Sequence, residues 1–256
     1  MLPDVRPVVV KVGGGSLVGG ALEDLQGILG SGRRAALVHG GGPQLTRMLD
    51  ALGVVSKFHE GLRVTDGETL EVAEMVFAGS VNKALVRELN TLGIPAAGIS
   101  GTDGPTLLVK PIPELGRVGE VEQVKPGLVH ALWAGGFVPV VAPLGLGPQG
   151  AYNVNADAAA AALAVGLGAE HLFLLTDVDG LLKDSSPVES LTPDECEGYV
   201  ESGIAAGGMV PKLRAAAEAA RGGVGARITN GNKAGALAGA IAGEKVGTLI
   251  SEGVVA

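Results

Sequence analysis

The feature that most constrains this chain is a set of short, solid apolar runs. PVVVKV (7–12), AALVHG (35–40), IPAAGIS (94–100), FVPVVAP (137–143) and HLFLLTD (171–177) recur along 256 residues. Most lack the in–out alternation of a strand with one wet face, so they predict strands covered on both sides. Between them lie helical patterns such as GGPQLTRMLDALG and TLEVAEMVFAGSVNKALVRELNTLG. Strand–helix alternation of this kind predicts an α/β fold, a three-layer αβα sandwich around a central, mainly parallel sheet. LVKPIPELGRVGEVEQVKPGLVHAL differs, with short β-like pieces broken by Pro and Gly, and predicts a hairpin excursion off that sheet. A boundary between two lobes is expected near 165–175, giving lobes of 1–170 and 171–256.

Glycine supplies the second constraint. Ordinary usage would give about 18 glycines in this length; the chain has 43, without a collagen-like period. Many must sit where the backbone bends or meets a ligand. The net charge of −8, with no dense Lys/Arg cluster, argues against nucleic acid. A single cysteine, Cys196, excludes an intramolecular disulfide and a Cys-rich metal site. No run reaches the ~18–20 apolar residues of a membrane span. The start, MLPDVRPVVVKVGGG, lacks the pattern of a signal peptide. The expected setting is the cytoplasm.

Two glycine triplets follow predicted strands. VVVKVGGGS places Lys11 two residues before Gly13, Gly14 and Gly15, and VHGGGPQL places Gly40, Gly41 and Gly42 before Pro43. Proline favours the first turn of a helix, so the second triplet lies at a helix N-terminus. Unpaired N–H groups and the helix dipole attract an anion there, and glycine lets a phosphate rest on the backbone. Neither triplet is a Walker loop or a dinucleotide fingerprint, and either alone could be a tight strand–helix turn.

Other segments add charge. In YNVNADAAAAALAVGLG, Asn153, Asn155 and Asp157 precede an alanine-rich helix; one of them is explained by capping, and Asp157 could anchor cationic side chains. In GMVPKLRAAAEAARGG, Lys212 sits just after Pro211, at the helix end where the dipole disfavours a cation; a bound phosphate accounts for that position. Arg63, within GLRVTD, could grip a carboxylate bidentately. LLTDVDGLL sets Asp177 and Asp179 at a strand's C-terminal end, the edge where ligands of open α/β sheets gather, although an Asp-Gly turn also explains it. The four histidines show no metal spacing and no nucleophile triad is visible; His39 reads as structural. With so few general bases, a carboxylate acceptor fits, because it needs no deprotonation.

These segments together, in the order VVKVGGG, VHGGGPQ, GLRVTD, MVFAGSVNKALV, GISGTDG, ELGRVGEV, NVNADAAA, LLTDVDG and GGMVPK, resemble the acetylglutamate kinases of the amino-acid kinase superfamily. The resemblance implies that Lys11 and Lys212 stabilise the phosphoryl group in flight and that Asp157 orders both. It implies N–H groups of Gly14 and Gly41 on the phosphate, with Gly13 and Gly42 shaping the turns. Arg63 and Asn153 would hold N-acetyl-L-glutamate. Asp177, Val178, Gly180, Ile204 and Met209 would line the ATP site, with Mg²⁺ held by ATP phosphates and water and no protein metal site. It further implies an N-terminal lobe for the amino acid and a C-terminal lobe for the nucleotide. Arginine-inhibited relatives carry an extra N-terminal helix and a His-containing C-terminal segment. Here the first strand begins by residue 7 and NGNKAGALAGAIAGEKVGTLI has no histidine, so an arginine-insensitive homodimer is expected, joined through the helix at 68–91. A kinase acting on carrier-linked aminoadipate and a non-catalytic sensor on the same fold remain alternatives.

Overall fold

All five apolar runs form strands: Val8–Val12, Ala35–His39, Ala96–Ser100, Val138–Ala142 and His171–Thr176. Every residue of the first, second and fourth is buried, which is why these runs do not alternate. The structure is a computed structural model that describes residues 5–13, 19–59, 61–184 and 186–253. It groups them into two compact units, one drawn from 1–12, 17–35 and 160–256, the other from 13–16 and 36–159.

In the first unit, Val8–Val12 runs parallel to His171–Thr176, which runs parallel to Gly225–Asn230. Thr248–Ile250 then pairs antiparallel, and Ser190–Leu191 lies parallel to it at the edge. The pairing of Val8 with His171 through Lys11 with Leu174 joins the N-terminal segment to the C-terminal unit, in place of a single cut near 165–175. Asp24, on the helix Gly19–Gly30, accepts the backbone N–H groups of Gly235, Leu237 and Ala238 at 2.9, 2.8 and 3.3 Å. It thereby closes the start of the short helix Ala236–Ile241, which has no side-chain cap of its own.

The second unit carries Ala35–His39, Val138–Ala142 and Ala96–Ser100 as parallel neighbours in that order. The predicted excursion is a hairpin off this sheet: Leu107–Pro111 pairs antiparallel with Gly119–Val124. With Leu144–Gly147 and Gly150–Asn153 it completes a separate four-stranded sheet.

The long helical pattern at 69–93 is helical throughout but not uniform. Asp66 accepts the Thr69 N–H at 2.8 Å and starts the helix Gly67–Glu74. Met75–Val81 then winds as a π-helix before Asn82–Thr91 returns to α. Gly79 lies inside the π segment, and the Ser80 hydroxyl bonds back to the Val76 carbonyl at 3.2 Å, a contact that loosens helical winding. The π turn buries Val76 and Phe77 in a cluster with Leu45, Leu49, Leu70 and Leu144.

Candidate functional site

The second glycine triplet sits where the helix Gly42–Ala51 begins. Gly41 is its N-cap, no side chain caps it, and Pro43 stands in the first turn. Leu45 donates to the Gly41 carbonyl at 2.9 Å, which leaves the earlier N–H groups for a ligand. Packing dictates one of these glycines: a Cβ on Gly41 would lie 2.7 Å from the Phe77 ring supplied by the π-helix. A Cβ on Gly42 or Gly13 would meet nothing within 4 Å, so both face open space. Gly14 lies outside the described residues.

Arg63 lies on the strand Leu62–Val64 and is 9 % exposed. Its Nη2 donates to Thr46 Oγ1 at 2.7 Å, its Nη1 donates to the Ser56 hydroxyl, and its guanidinium covers the Phe58 ring 4.6 Å from the centroid. Burial pushes its pKa below the ordinary arginine value, with Asp50 opposing. Thr46 in turn donates to the Gly42 carbonyl at 3.0 Å. On the other side, Thr65 Oγ1 donates to the Arg63 carbonyl at 3.2 Å and accepts from Asn153 Nδ2 at 3.1 Å. A hydrogen-bonded chain therefore runs from Gly42 through Thr46, Arg63 and Thr65 to Asn153, all within one unit. The excursion is tied to the same place: Arg117 N–H donates to the Thr65 carbonyl at 2.6 Å, and Asn153 N–H donates to the Arg117 carbonyl at 2.9 Å.

Of the alternate polar residues 153, 155 and 157, Asn155 is the cap. Its Oδ1 accepts the N–H groups of Asp157 and Ala158 at 3.0 and 3.1 Å. Asp157, in the first turn of Ala156–Gly166 and 6 % exposed, is thus not needed for capping.

The other unit holds both candidate lysines. Lys11 is the fourth residue of the fully buried strand Val8–Val12 and is 8 % exposed; Lys212, in the first turn of Met209–Arg221, is 7 % exposed. Ammonium groups this buried cost several kcal/mol unless an anion compensates them. Met209 begins the same helix one turn before Lys212, and Ile204 is half-buried in the loop ahead of it. Asp177 and Val178 are exposed after the strand His171–Thr176. Gly180 is buried at φ +119°, where a Cβ would strike the Thr248 hydroxyl at 2.7 Å and its backbone N at 2.9 Å. Tight packing thus demands a glycine there whatever else it does.

Several groups escaped the sequence reading. Thr46, Ser56 and Thr65 orient Arg63 and Asn153; Thr46 follows Gly42 by one helical turn, and that spacing was the available signal. In the unit with the lysines, Asp179 accepts from Lys233 at 2.6 Å and Asn230 at 2.8 Å beside a cavity of about 920 Å³. The polar run TNGNK, which begins in the last two residues of the strand Gly225–Asn230, was the clue. Asp179 lines this cavity, whereas Asp177, Val178, Gly180, Ile204 and Met209 do not.

A family profile described as "Amino acid kinase family" matches residues 6–230. The chain belongs to the amino acid kinase family. Among curated relatives of this kinase, an acetylglutamate kinase of Rubrobacter xylanophilus is 71 % identical over 97 % of this chain and 98 % of its own length. An acetylglutamate kinase of Halalkalibacterium halodurans is 43 % identical over 97 % of both chains. Among solved structures, smu.665 from Streptococcus mutans superposes with a TM-score of 0.85 at 25 % identity, covering 96 % of this kinase and 98 % of that chain. An N-acetylglutamate synthase from Neisseria gonorrhoeae, complexed with coenzyme A and N-acetyl-glutamate, gives 0.81 at 29 % identity over 97 % of this kinase and 60 % of that chain. The likeness read from the motifs is borne out, as is the α/β fold. No helix among the described residues is long and apolar enough to cross a membrane.

Proposed function

We propose that this kinase transfers the γ-phosphoryl group of ATP to the side-chain carboxylate of N-acetyl-L-glutamate. The bond from the γ-phosphorus to the β–γ bridging oxygen breaks, and a carboxylate oxygen bonds to phosphorus, giving ADP and an acyl phosphate. The observation that carries this reading is the chain of contacts from Gly42 to Asn153, which sets a buried guanidinium beside uncapped amides. The 71 % identity to an acetylglutamate kinase supports it.

Each residue then has a chemical task. Arg63 grips the acceptor's α-carboxylate, and Asn153 bonds its polar groups. Amides of Gly41 and Gly14 receive the travelling phosphate, with Gly13 and Gly42 leaving the backbone bare. Lys11 and Lys212 neutralise the charge that spreads over the phosphoryl oxygens, and Asp157 provides the fixed anion that orders such cations. The acceptor attacks as a carboxylate, so no base is required. Asp177, Val178, Gly180, Ile204 and Met209 belong to the nucleotide side, and Mg²⁺ travels with the ATP phosphates. The unit containing 36–159 takes the amino acid; the other takes the nucleotide. A coupled assay of ADP release with N-acetyl-L-glutamate as sole acceptor tests the reading. Turnover that depends on the acceptor is expected, and ADP release indifferent to it would refute the assignment.

The same reading makes the enzyme an arginine-insensitive homodimer formed through the helical run at 68–91 and acting in the cytoplasm. Millimolar arginine should leave the rate unchanged, and sedimentation should give twice the chain mass. Strong inhibition, or a monomeric or hexameric mass, would overturn it.

A further inference from the structure

One buried titratable group has no part in the chemistry above. His39 ends the strand Ala35–His39, immediately before the glycine triplet, and is 1 % exposed. Its two ring nitrogens face different partners. Nδ1 lies 2.7 Å from the Gly40 carbonyl oxygen, which can only accept, so Nδ1 carries the proton. Nε2 lies 3.1 Å from Asn82 Nδ2. Asn82 is itself fully buried, and its Nδ2 also donates to the Val140 carbonyl at 2.9 Å. Because that carbonyl only accepts, the amide group must present its NH₂ on this side, and Nε2 is the acceptor. Lys83 completes the arrangement by donating to Asn82 Oδ1 and to the Gly98 carbonyl, each at 3.0 Å. Both sides of the ring thus select one neutral tautomer. Burial pushes the His39 pKa down to about 4, with the Gly40 bond opposing it and the Lys83 charge adding to the effect; the ring is neutral around pH 7.

The Gly40 carbonyl belongs to the same planar peptide as the Gly41 N–H. In a trans peptide those two groups point in opposite directions. A carbonyl tied inward to the ring therefore turns the Gly41 N–H outward. Glycine on both sides of this peptide would otherwise let the plane rotate freely. The π-helix takes part twice: Phe77 packs under Gly41, and the last π residue, Val81, hands the chain to Asn82.

We propose that His39 is a positioning residue for phosphoryl transfer: its Nδ1–H holds the Gly40 carbonyl and so aims the Gly41 N–H at the phosphate. This inference rests on the kinase reading above, in which that N–H meets the travelling group. Losing an oxyanion donor outright costs about 10²–10³ in kcat; a donor left in place but free to rotate costs less, about 10–100-fold.

Three substitutions separate positioning from packing. Asparagine places its amide near the former Nδ1 and can still donate to Gly40; glutamine reaches only the former Nε2 position; leucine does neither. H39Q and H39L are expected to lose about 10–100-fold in kcat with KM for the acceptor moved less than about twofold. H39N should stay within about fivefold of wild type. Equal losses in H39N and H39Q, or a loss carried by the acceptor KM, would overturn the proposal. Imidazole ¹⁵N spectra of the unsubstituted protein supply a readout that does not depend on variants folding: a protonated Nδ1 is expected, and a protonated Nε2 sinks the inference. Unsubstituted protein that releases no ADP with N-acetyl-L-glutamate removes the kinase reading and this inference with it. An active enzyme with an unimpaired H39Q removes this inference alone.

Discussion

Lys212→Ala is expected to lower kcat by about three orders of magnitude and kcat/KM for the acceptor by a similar factor. Lys212 stands in the first turn of its helix, where the dipole opposes a cation by roughly 0.3–1 kcal/mol, and it is buried as well. A surface lysine would avoid both penalties, and under the proposed function a phosphate of the substrate meets this ammonium. In phosphoryl transfer, charge grows on the equatorial oxygens between ground state and transition state, and a fixed ammonium gains most at that moment. An equal fall in kcat and kcat/KM marks an interaction made in the transition state alone. Lys11→Ala should behave likewise. Circular dichroism and thermal melting accompany the kinetics, because a lysine that merely completes a buried pair would show its loss as instability with kcat preserved. A near wild-type rate in either variant refutes its role.

How much of this was readable beforehand depends on where the information lies along the chain. Strands buried on both faces announce themselves, because each residue must be apolar: VVVKV and VPVVA leave few other options. GARITN, the strand Gly225–Asn230, escaped because half-buried and buried residues mix along it and Arg227 reaches carbonyls of Glu244 and Val246. The π-helix was invisible for a different reason. Over seven residues its periodicity departs too little from 3.6 to register, and the Phe77 contact that it creates involves a partner 36 positions away. Residues with unusual local placement were legible, among them Lys212 against a dipole and glycines before Pro43. Their supports were not: Thr46 and Ser56 matter only because Arg63 folds back onto them, and His39 looked like an ordinary strand end until its two neighbours fixed a proton.

Arg63→Ala is expected to raise KM for N-acetyl-L-glutamate by about 30–300-fold while leaving KM for ATP within about twofold. The guanidinium's hydrogen-bond partners, Thr46 and Ser56, are hydroxyls, and a third face rests on Phe58. These contacts orient the fork without neutralising its charge, and the lowered pKa reflects the cost of holding that charge out of water. Under the proposed function the acceptor's carboxylate offsets this cost, and a charge-assisted pair in such a setting is worth about 2–3 kcal/mol. Truncation removes the pair and also frees Thr46, which otherwise links Arg63 to Gly42, so a severalfold fall in kcat should accompany the KM effect. Arg63→Lys is the sharper probe. An ammonium keeps the charge but cannot serve two hydroxyls and a carboxylate in one plane, so about a tenfold rise in KM is expected. Initial rates at saturating ATP with the acceptor varied, repeated with the roles exchanged, decide the matter. Should the deficit fall on ATP, Arg63 belongs to the nucleotide side and the acceptor's carboxylate is held by something else.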